Sequence, residues 1–389
     1  MKVLVFSTST NNTDTVIDSL KATNLAEVDV FRYDTRFLQR VALAVQANPK
    51  AAGQLQAGQL HFDPSAVRRD AEMLTAAREK KPDLMIYISA WEGDFVPAPD
   101  TLGELNEIAP LVHLCFDASD PPWWPQMMEF EKKGIFSLTV NIDGGHVWPG
   151  GTQWQPGLMS GYGVGPGGPW IKGLTVLTPV DPKPFAGVQL PYLERPYRVG
   201  YAGNAGGWIR DCLVTRLGSI PGFAKKLRDD VPGSYAFYVQ FLKHVQVSVS
   251  VPFTGSNAAK HVKGRVVESA FAGCCLLEWK NPATRAWFLP RYEYEEYESI
   301  DECLEIAAWL AGHPRRAAEM AAAMQQRVLR EHAADVMWGK VFAGAGREPV
   351  MSMPYKEPSP ILLEATLIEA VAKDSEAWGA LPGAAAAGG

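Results

Sequence analysis

The sequence predicts an α/β protein of two Rossmann-like domains facing each other across a cleft. Three observations carry that expectation. The chain has 389 residues, too many for one comfortable core and about right for two domains of roughly 150–200 residues. Short apolar runs alternate with helical patterns in two separate stretches, the pattern of parallel sheets wrapped by helices. Between the stretches lies DPKPFAGVQLPYLERPYR, whose prolines suit a linker.

In the first stretch the strand candidates are VLVFS (3–7), VDVFRY (28–33), LMIYIS (84–89), LVHLCF (111–116) and FSLTVNI (136–142). Helical patterns fall near 13–22, 65–80, 100–108 and 123–133. In a parallel sheet the loops after the strands' carboxyl ends form the ligand crevice, which gathers Ser7–Thr10, Trp91–Asp94, Asp117–Asp120 and Asp143–His146 at one edge. Residues 144–173 carry eleven glycines and read as a loop. Their GVGPGG has the spacing of a dinucleotide-binding turn, but Pro166 and Pro169 leave it no helix to open. KGLTVLTP follows as a short strand. The expected first domain is 1–178, and the linker 179–196.

The second stretch opens with RVGYAGNAGGWIRD, a strand (198–202), a glycine-bearing loop and a helix carrying Arg210. A helix near 234–244, the strand QVSVSV (246–251), the helix of HVKGRVVESAFAG and the strand CCLLEW complete the alternation. Gly273 ends that helix. Ser299 and Glu302 have capping-box spacing for a helix to about 311, and PRRAAEMAAAMQQRVLREH continues as another. This gives a second domain over 197–350. A last helical stretch within 351–378 stands apart behind prolines and is expected to cross back to the first domain. The alanine- and glycine-rich tail 379–389 is expected to be disordered.

Composition narrows the function. Apolar residues make up 47% and the net charge is −6, so a large nucleic-acid footprint is disfavoured, though a local patch is compatible with it. The start, MKVLVFSTST, is too short an apolar run for a signal peptide, and no run reaches membrane-spanning length. The five cysteines lack paired or zinc spacing, which suits reduced thiols in the cytoplasm. No metal site is expected.

Two features suggest chemistry. The loop YAGNAGGWIR, with Gly203 and Asn204, offers backbone N–H groups and a helix N-terminus to a diphosphate, and Arg210 adds charge. A tight turn beside a surface arginine is the plainer alternative. In KHVKGRVVESAF, Lys260, Gly264 and Glu268 are four apart and share one helix face. Gly264 opens that face, and Glu268 there suits the two hydroxyls of a ribose. An ion pair between Arg265 and Glu268 on a solvated face is the alternative.

KGRVVESAFAGCCLLEW resembles a motif of CgeB-like glycosyltransferases, members of the GT-B superfamily. The resemblance continues through FLPRYEYEEYESIDECLEIAAWLAGHPRRAAEMAAAMQQRVLREH. RVGYAGNAGGWIR and LCFDASDPPWW resemble the family's second-domain phosphate loop and first-domain Asp-Pro strand end. It implies a GT-B fold and a donor site in which Glu268 holds the ribose and Arg210 the diphosphate. Lys263 and Arg265 lie near the same phosphates, and Glu293 takes the acidic position after the donor loop. Lys260 stands where many retaining enzymes carry a second glutamate, so the stereochemistry stays open.

An inverting transfer needs a base for the acceptor hydroxyl. Asp117, Asp120, Asp94 and His146, each after a first-domain strand, are the candidates. The resulting expectation is a cytoplasmic, metal-independent glycosyltransferase without a cofactor. It takes a nucleotide-diphosphate sugar as donor and passes the sugar to an unidentified acceptor. A sugar-nucleotide epimerase on the same fold and a non-catalytic sugar-nucleotide-binding module are the alternatives.

Overall fold

A computed structural model describes residues 1–48, 50, 67–89, 96–116, 129–130, 132–147, 157–163, 170–186, 190–204, 207–227, 235–253 and 260–347. The chain divides into two compact units. The first comprises Met1–Asp181, Phe253–Val262 and the described part of Ala333–Pro349; the second comprises Pro182–Pro252 and Lys263–His332.

The first unit contains strands β1 (Lys2–Ser7), β2 (Glu27–Arg32), β3 (Leu84–Ile88), β4 (Leu111–Cys115), β5 (Leu138–Asn141), β6 (His146–Val147), β7 (Gly157–Gly163) and β8 (Trp170–Thr175). Its helices are α1 (Asn11–Ala22), α2 (Thr35–Ala47), α3 (Asp70–Lys80) and α4 (Pro99–Ile108). A seven-stranded sheet runs in the order β2-β1-β3-β4-β5-β8-β7, parallel except for β7, which is antiparallel to β8. Every residue of β3 and β4 is buried, which explains why LMIYI reads as an unbroken apolar run and LVHLC as a run with a single polar residue.

One polar residue interrupts β4. His113 is 1% exposed and stacks on Phe136 with ring centroids 4.6 Å apart, with Tyr87 and Phe130 close by. Burial lowers its pKa to about 3, so it serves as a neutral aromatic ring in the core.

Two expectations for this unit change. The glycine-rich segment read as a loop carries β7 and leads into β8. Backbone pairing needs no side chain, and an edge position frees β7 from the apolar alternation that marks a buried strand. TRFLQRVALAVQA forms α2, although none of its residues is buried.

The second unit contains β9 (Tyr197–Gly203), α5 (Trp208–Leu217), β10 (Phe223–Leu227), α6 (Tyr235–Lys243) and β11 (Val245–Ser250). After β12 (Lys260–His261), which the first unit claims, follow α7 (Gly264–Phe271), β13 (Cys275–Trp279), α8 (Pro282–Arg285), β14 (Tyr294–Tyr297), α9 (Ile300–Gly312) and α10 (Pro314–Glu331). Five strands pair in the order β10-β9-β11-β13-β14, all parallel. β10 supplies the strand that the sequence did not show. Its FAKKL has adjacent lysines in place of alternation, as suits an edge strand.

Local chemistry fixes the ends of these elements. Gly273 takes a φ of +66° after α7, and the Cys274 N–H donates to the Ser269 carbonyl at 2.9 Å, the helix-ending turn that glycine favours. Ser299 caps α9 by accepting from the Glu302 N–H at 3.1 Å. The Glu302 carboxylate reaches back to the Glu298 N–H at 2.6 Å, one residue beyond the expected partner.

The segment read as a linker is bonded into the second unit by Arg195, 5% exposed. Its Nη1 donates to the Val245 and Gly273 carbonyls, both at 2.8 Å, and its Nη2 to the Ala272 carbonyl at 2.9 Å. The Tyr192 hydroxyl donates to the Gln246 carbonyl at 2.7 Å.

Two later segments return to the first unit, although the sequence placed 197–350 in one domain. β12 pairs antiparallel with β6, His261 opposite His146. The helix α11 (Ala334–Gly344) buries Met337, Trp338, Val341 and Phe342, and Trp338 Nε1 donates to Ser19 Oγ of α1 at 3.0 Å. The expected returning helix within 351–378 and the tail 379–389 lie outside the described residues.

Candidate functional site

Parallel pairing puts the carboxyl ends of β9, β11, β13 and β14 on one edge of the second sheet. The chain leaves β9 on one side for β10 and returns on the other for β11, so the switch point lies between β9 and β11. There the loops diverge, and α/β sheets hold their ligands at such points. β9 ends at Gly203, and α5 starts a few residues later.

Gly203 has a φ of +139°, and a Cβ on it would lie 2.5 Å from Arg265 Nη2 and 2.7 Å from Nη1. The missing side chain is what lets the guanidinium of α7 lie against the β9 loop. Arg265 also sits over the Tyr201 ring, 5.8 Å from its centroid, and its buried Nη1 has no hydrogen-bond partner among the described residues. The Tyr201 hydroxyl donates to the Asn204 carbonyl at 2.7 Å, fixing the start of the loop. Arg210 lies half-buried in the first turn of α5.

Glu268 lies one turn beyond Arg265 on α7 and is half-buried. Its Oε2 accepts from the Tyr238 hydroxyl at 2.7 Å. Burial raises its pKa, against hydrogen bonds from Tyr238 and Tyr235 and the charge of Arg265. The reading of an Arg265–Glu268 pair on a solvated face is corrected here: both groups are drawn inward, and the carboxylate takes its hydrogen bond from a tyrosine.

Other expectations change as well. Lys260 does not share a helix face with Gly264 and Glu268; it lies in β12, its Nζ 5.4 Å from the Phe253 ring centroid. The helix begins only at Gly264, and Lys263 is the residue that precedes its first turn. Glu293 is not open to a donor. It is 3% exposed, accepts from Arg327 Nε at 2.6 Å and from the Leu289 N–H at 2.7 Å, and so ties the chain before β14 to α10.

Of the proposed bases, Asp94, Asp117 and Asp120 lie outside the described residues. His146 is placed by its backbone in β6, opposite His261. Close to that ribbon, His261 Nδ1 lies 3.4 Å from Asp143 Oδ2, both groups buried.

Sequence reading missed two features of the second unit. Tyr235 and Tyr238 are three apart on α6, with ring centroids 5.8 Å apart; their spacing marks a helix face, but nothing local points to a partner 30 residues on. Glu278, at the end of β13, is fully buried and accepts from Ser250 Oγ at 3.3 Å. Burial pushes its pKa up to about 8. A single glutamate in the apolar run CCLLEW was the available signal. Among the described residues no group of three metal-ligating side chains occurs, and no helix is long and apolar enough to cross a membrane.

Solved structures with the same architecture share little sequence with the chain. The Anabaena protein Alr3699/HepE, in complex with UDP and glucose, matches at a TM-score of 0.56 and 11% identity, covering 89% of this chain and 100% of that one. An alpha-glucosyltransferase in complex with UDP matches at 0.53 and 9% identity, covering 89% and 100%. A glycosyltransferase from Rickettsia africae matches at 0.52 and 7% identity, covering 88% and 97%. The chain therefore has the two-domain, Rossmann-like GT-B fold. Residues 194–341 match a family model described as glycosyl transferase-like, a span that takes in most of the second unit. No curated protein matches the chain.

Proposed function

We propose that the protein is a glycosyltransferase moving a sugar from a nucleotide-diphosphate sugar, bound by the second unit, to an acceptor hydroxyl recognised by the first. The carrying observation is the convergence of Gly203, Arg265 and Glu268 at the switch point of the second sheet. The family match over 194–341 supports the same reading, and the UDP complexes of the fold neighbours suggest a nucleoside diphosphate as the first ligand to try.

In this reading Glu268 accepts hydrogen bonds from the ribose hydroxyls. Arg265 Nη1, Arg210, Lys263 and the N–H groups opening α5 and α7 face the diphosphate, with Gly203 and Asn204 shaping the loop. As the bond from the sugar's anomeric carbon to the diphosphate oxygen breaks, negative charge grows on the leaving group. Preplaced cations and amides stabilise that charge more than they stabilise the bound donor, which lowers the barrier. The acceptor oxygen forms the new bond and gives up its proton, for which Asp94, Asp117, Asp120 and His146 remain the candidates. With cations on the leaving group, the transfer is proposed as metal-independent. Membership of the CgeB-like group, on KGRVVESAFAG, and a cytoplasmic site of action belong to the same proposal; the five free cysteines support the latter.

Glu268→Gln tests the assignment. The amide leaves one acceptor and one donor facing two hydroxyls, so UDP affinity should fall by about 1–3 kcal/mol, or roughly 5- to 150-fold. Binding of the 2′,3′-dideoxy analogue should stay within about twofold. Calorimetry of both ligands decides it, and unchanged UDP affinity in a folded variant removes Glu268 from the donor site. A panel of nucleotide sugars then separates transfer from epimerisation by the product formed.

A further inference from the structure

Within the proposed donor site, the side chain of Glu268 takes a hydrogen bond from a helix that lies outside the motif that suggested the site. Tyr238, on α6, donates to Glu268 Oε2 at 2.7 Å. Tyr238 is braced by Tyr235, whose ring lies 5.8 Å away at an interplanar angle of 26°. The same carboxylate has a second oxygen, Oε1, and Arg265 one turn earlier on its own helix. We propose that Tyr238 is a positioning residue for the donor's ribose: its hydroxyl holds Oε2 and so leaves Oε1 aimed at the sugar hydroxyls. The inference rests on the donor site proposed above and deepens it.

The physical argument has two parts. A carboxylate at the end of three rotatable bonds samples several orientations, and one fixed oxygen removes most of that freedom before ligand arrives. A hydroxyl donor also favours the ionised carboxylate, and only that form offers acceptors on both oxygens. Burial works in the opposite direction on Glu268, so the tyrosine contact counters a real tendency to take up a proton. The neighbours on the remaining sides of α7 are committed elsewhere. Ser248 of β11 bonds Ser269, Gln325 of α10 donates to the Phe271 carbonyl, and Arg327 of α10 turns to Glu293. Among the described residues, the groups that act on Glu268 are Tyr238, Tyr235 and Arg265.

The test is UDP affinity by calorimetry from pH 5.5 to 8.5 for the parent protein, Tyr238→Phe, Glu268→Gln and the double variant. Ratios of variant to parent remove the ligand's own titration. Tyr238→Phe should bind about three- to tenfold more weakly than the parent at pH 8.5, where the lost orientation of an ionised Glu268 is what counts. It should bind more weakly again near pH 6, because loss of the donor also lets Glu268 take up a proton at higher pH. In the Glu268→Gln background the Tyr238 substitution should have no further effect. Parent-like affinity of Tyr238→Phe at every pH, or the same loss with and without Glu268, denies Tyr238 the positioning role and overturns the inference. If Tyr238→Phe does not fold, Tyr235→Phe, which removes the other hydroxyl facing Glu268, is read in the same way for a smaller shift of the same sign, and no shift overturns the inference. Unchanged affinity in Glu268→Gln is a different failure, because it removes the donor site itself.

Discussion

Replacing Arg195 by alanine is expected to destabilise the second unit by about 3–5 kcal/mol, one of the largest effects of any single substitution in the chain. The guanidinium donates to three carbonyls, Val245, Gly273 and Ala272, and it is almost wholly buried. Alanine leaves those carbonyls without that donor and out of reach of bulk water, at about 1–3 kcal/mol for each unsatisfied group, less than additively. It also opens a cavity beside Gly273, where Arg195 Nη2 lies 3.2 Å from the position of an added Cβ. Lysine does not rescue, because one ammonium cannot span carbonyls on two elements as a planar fork does. Urea denaturation followed by tryptophan fluorescence measures the loss. A change below 1 kcal/mol would show that the carbonyls find other donors.

Acid should weaken the first unit through His113, and His113→Phe should abolish that weakness. The ring has a pKa of about 3 in the fold and about 6.5 in the unfolded chain. Between these values the unfolded chain binds a proton that the folded chain refuses, so stability falls with pH. The cost is absent above about pH 6.5, reaches about 2 kcal/mol at pH 5 and about 3 kcal/mol at pH 4. Phenylalanine preserves the stack with Phe136 and carries no titrating group. The second unit has the opposite slope. Glu278 and Glu295 have folded pKa values pushed up to about 8 and about 7 by burial, against about 4.3 unfolded. They keep protons that the unfolded chain releases, so this unit weakens as pH rises through those values. Hydrogen exchange read peptide by peptide from pH 4 to 9 should show first-unit strands opening at the acid end and second-unit strands at the alkaline end. Parallel behaviour of the two sets would refute the assignment.

The sequence made the parallel strands legible because burial on both faces writes itself as apolar runs, as in LMIYI and the VLVF of β1, while VQVSVS showed itself by alternating valines. It made α7, its end at Gly273 and the first turn of α5 legible through glycine and charge placement. β7 and β10 were hidden for a common reason: edge strands are held by backbone bonds, with little apolar alternation to betray them, whereas α2 carries an amphipathic pattern in TRFLQRVALAVQA that sequence reading missed. The donor site was half visible. Glu268, Arg265 and Gly203 lie in motifs, whereas Tyr238 reaches Glu268 only through the return of β11 into the sheet. Glu293 misled because an acidic residue after a loop looks the same in sequence whether it faces a ligand or, as here, pairs with Arg327.

The bond from Trp338 to Ser19 joins residues 319 positions apart, and this bears on how the protein is made. Synthesis runs at roughly 5–20 residues per second, so about 15–60 s separate the appearance of α1 from that of the helix that covers it. Once β8 is made within that interval, the first unit has all the strands of its sheet but still lacks Trp338, Val341 and Phe342. The described residues of the second unit are all made in the meantime, between 182 and 332. The half of the molecule begun first is thus the half completed last, and a chain halted before residue 345 leaves both the beginning and the end of its work undone.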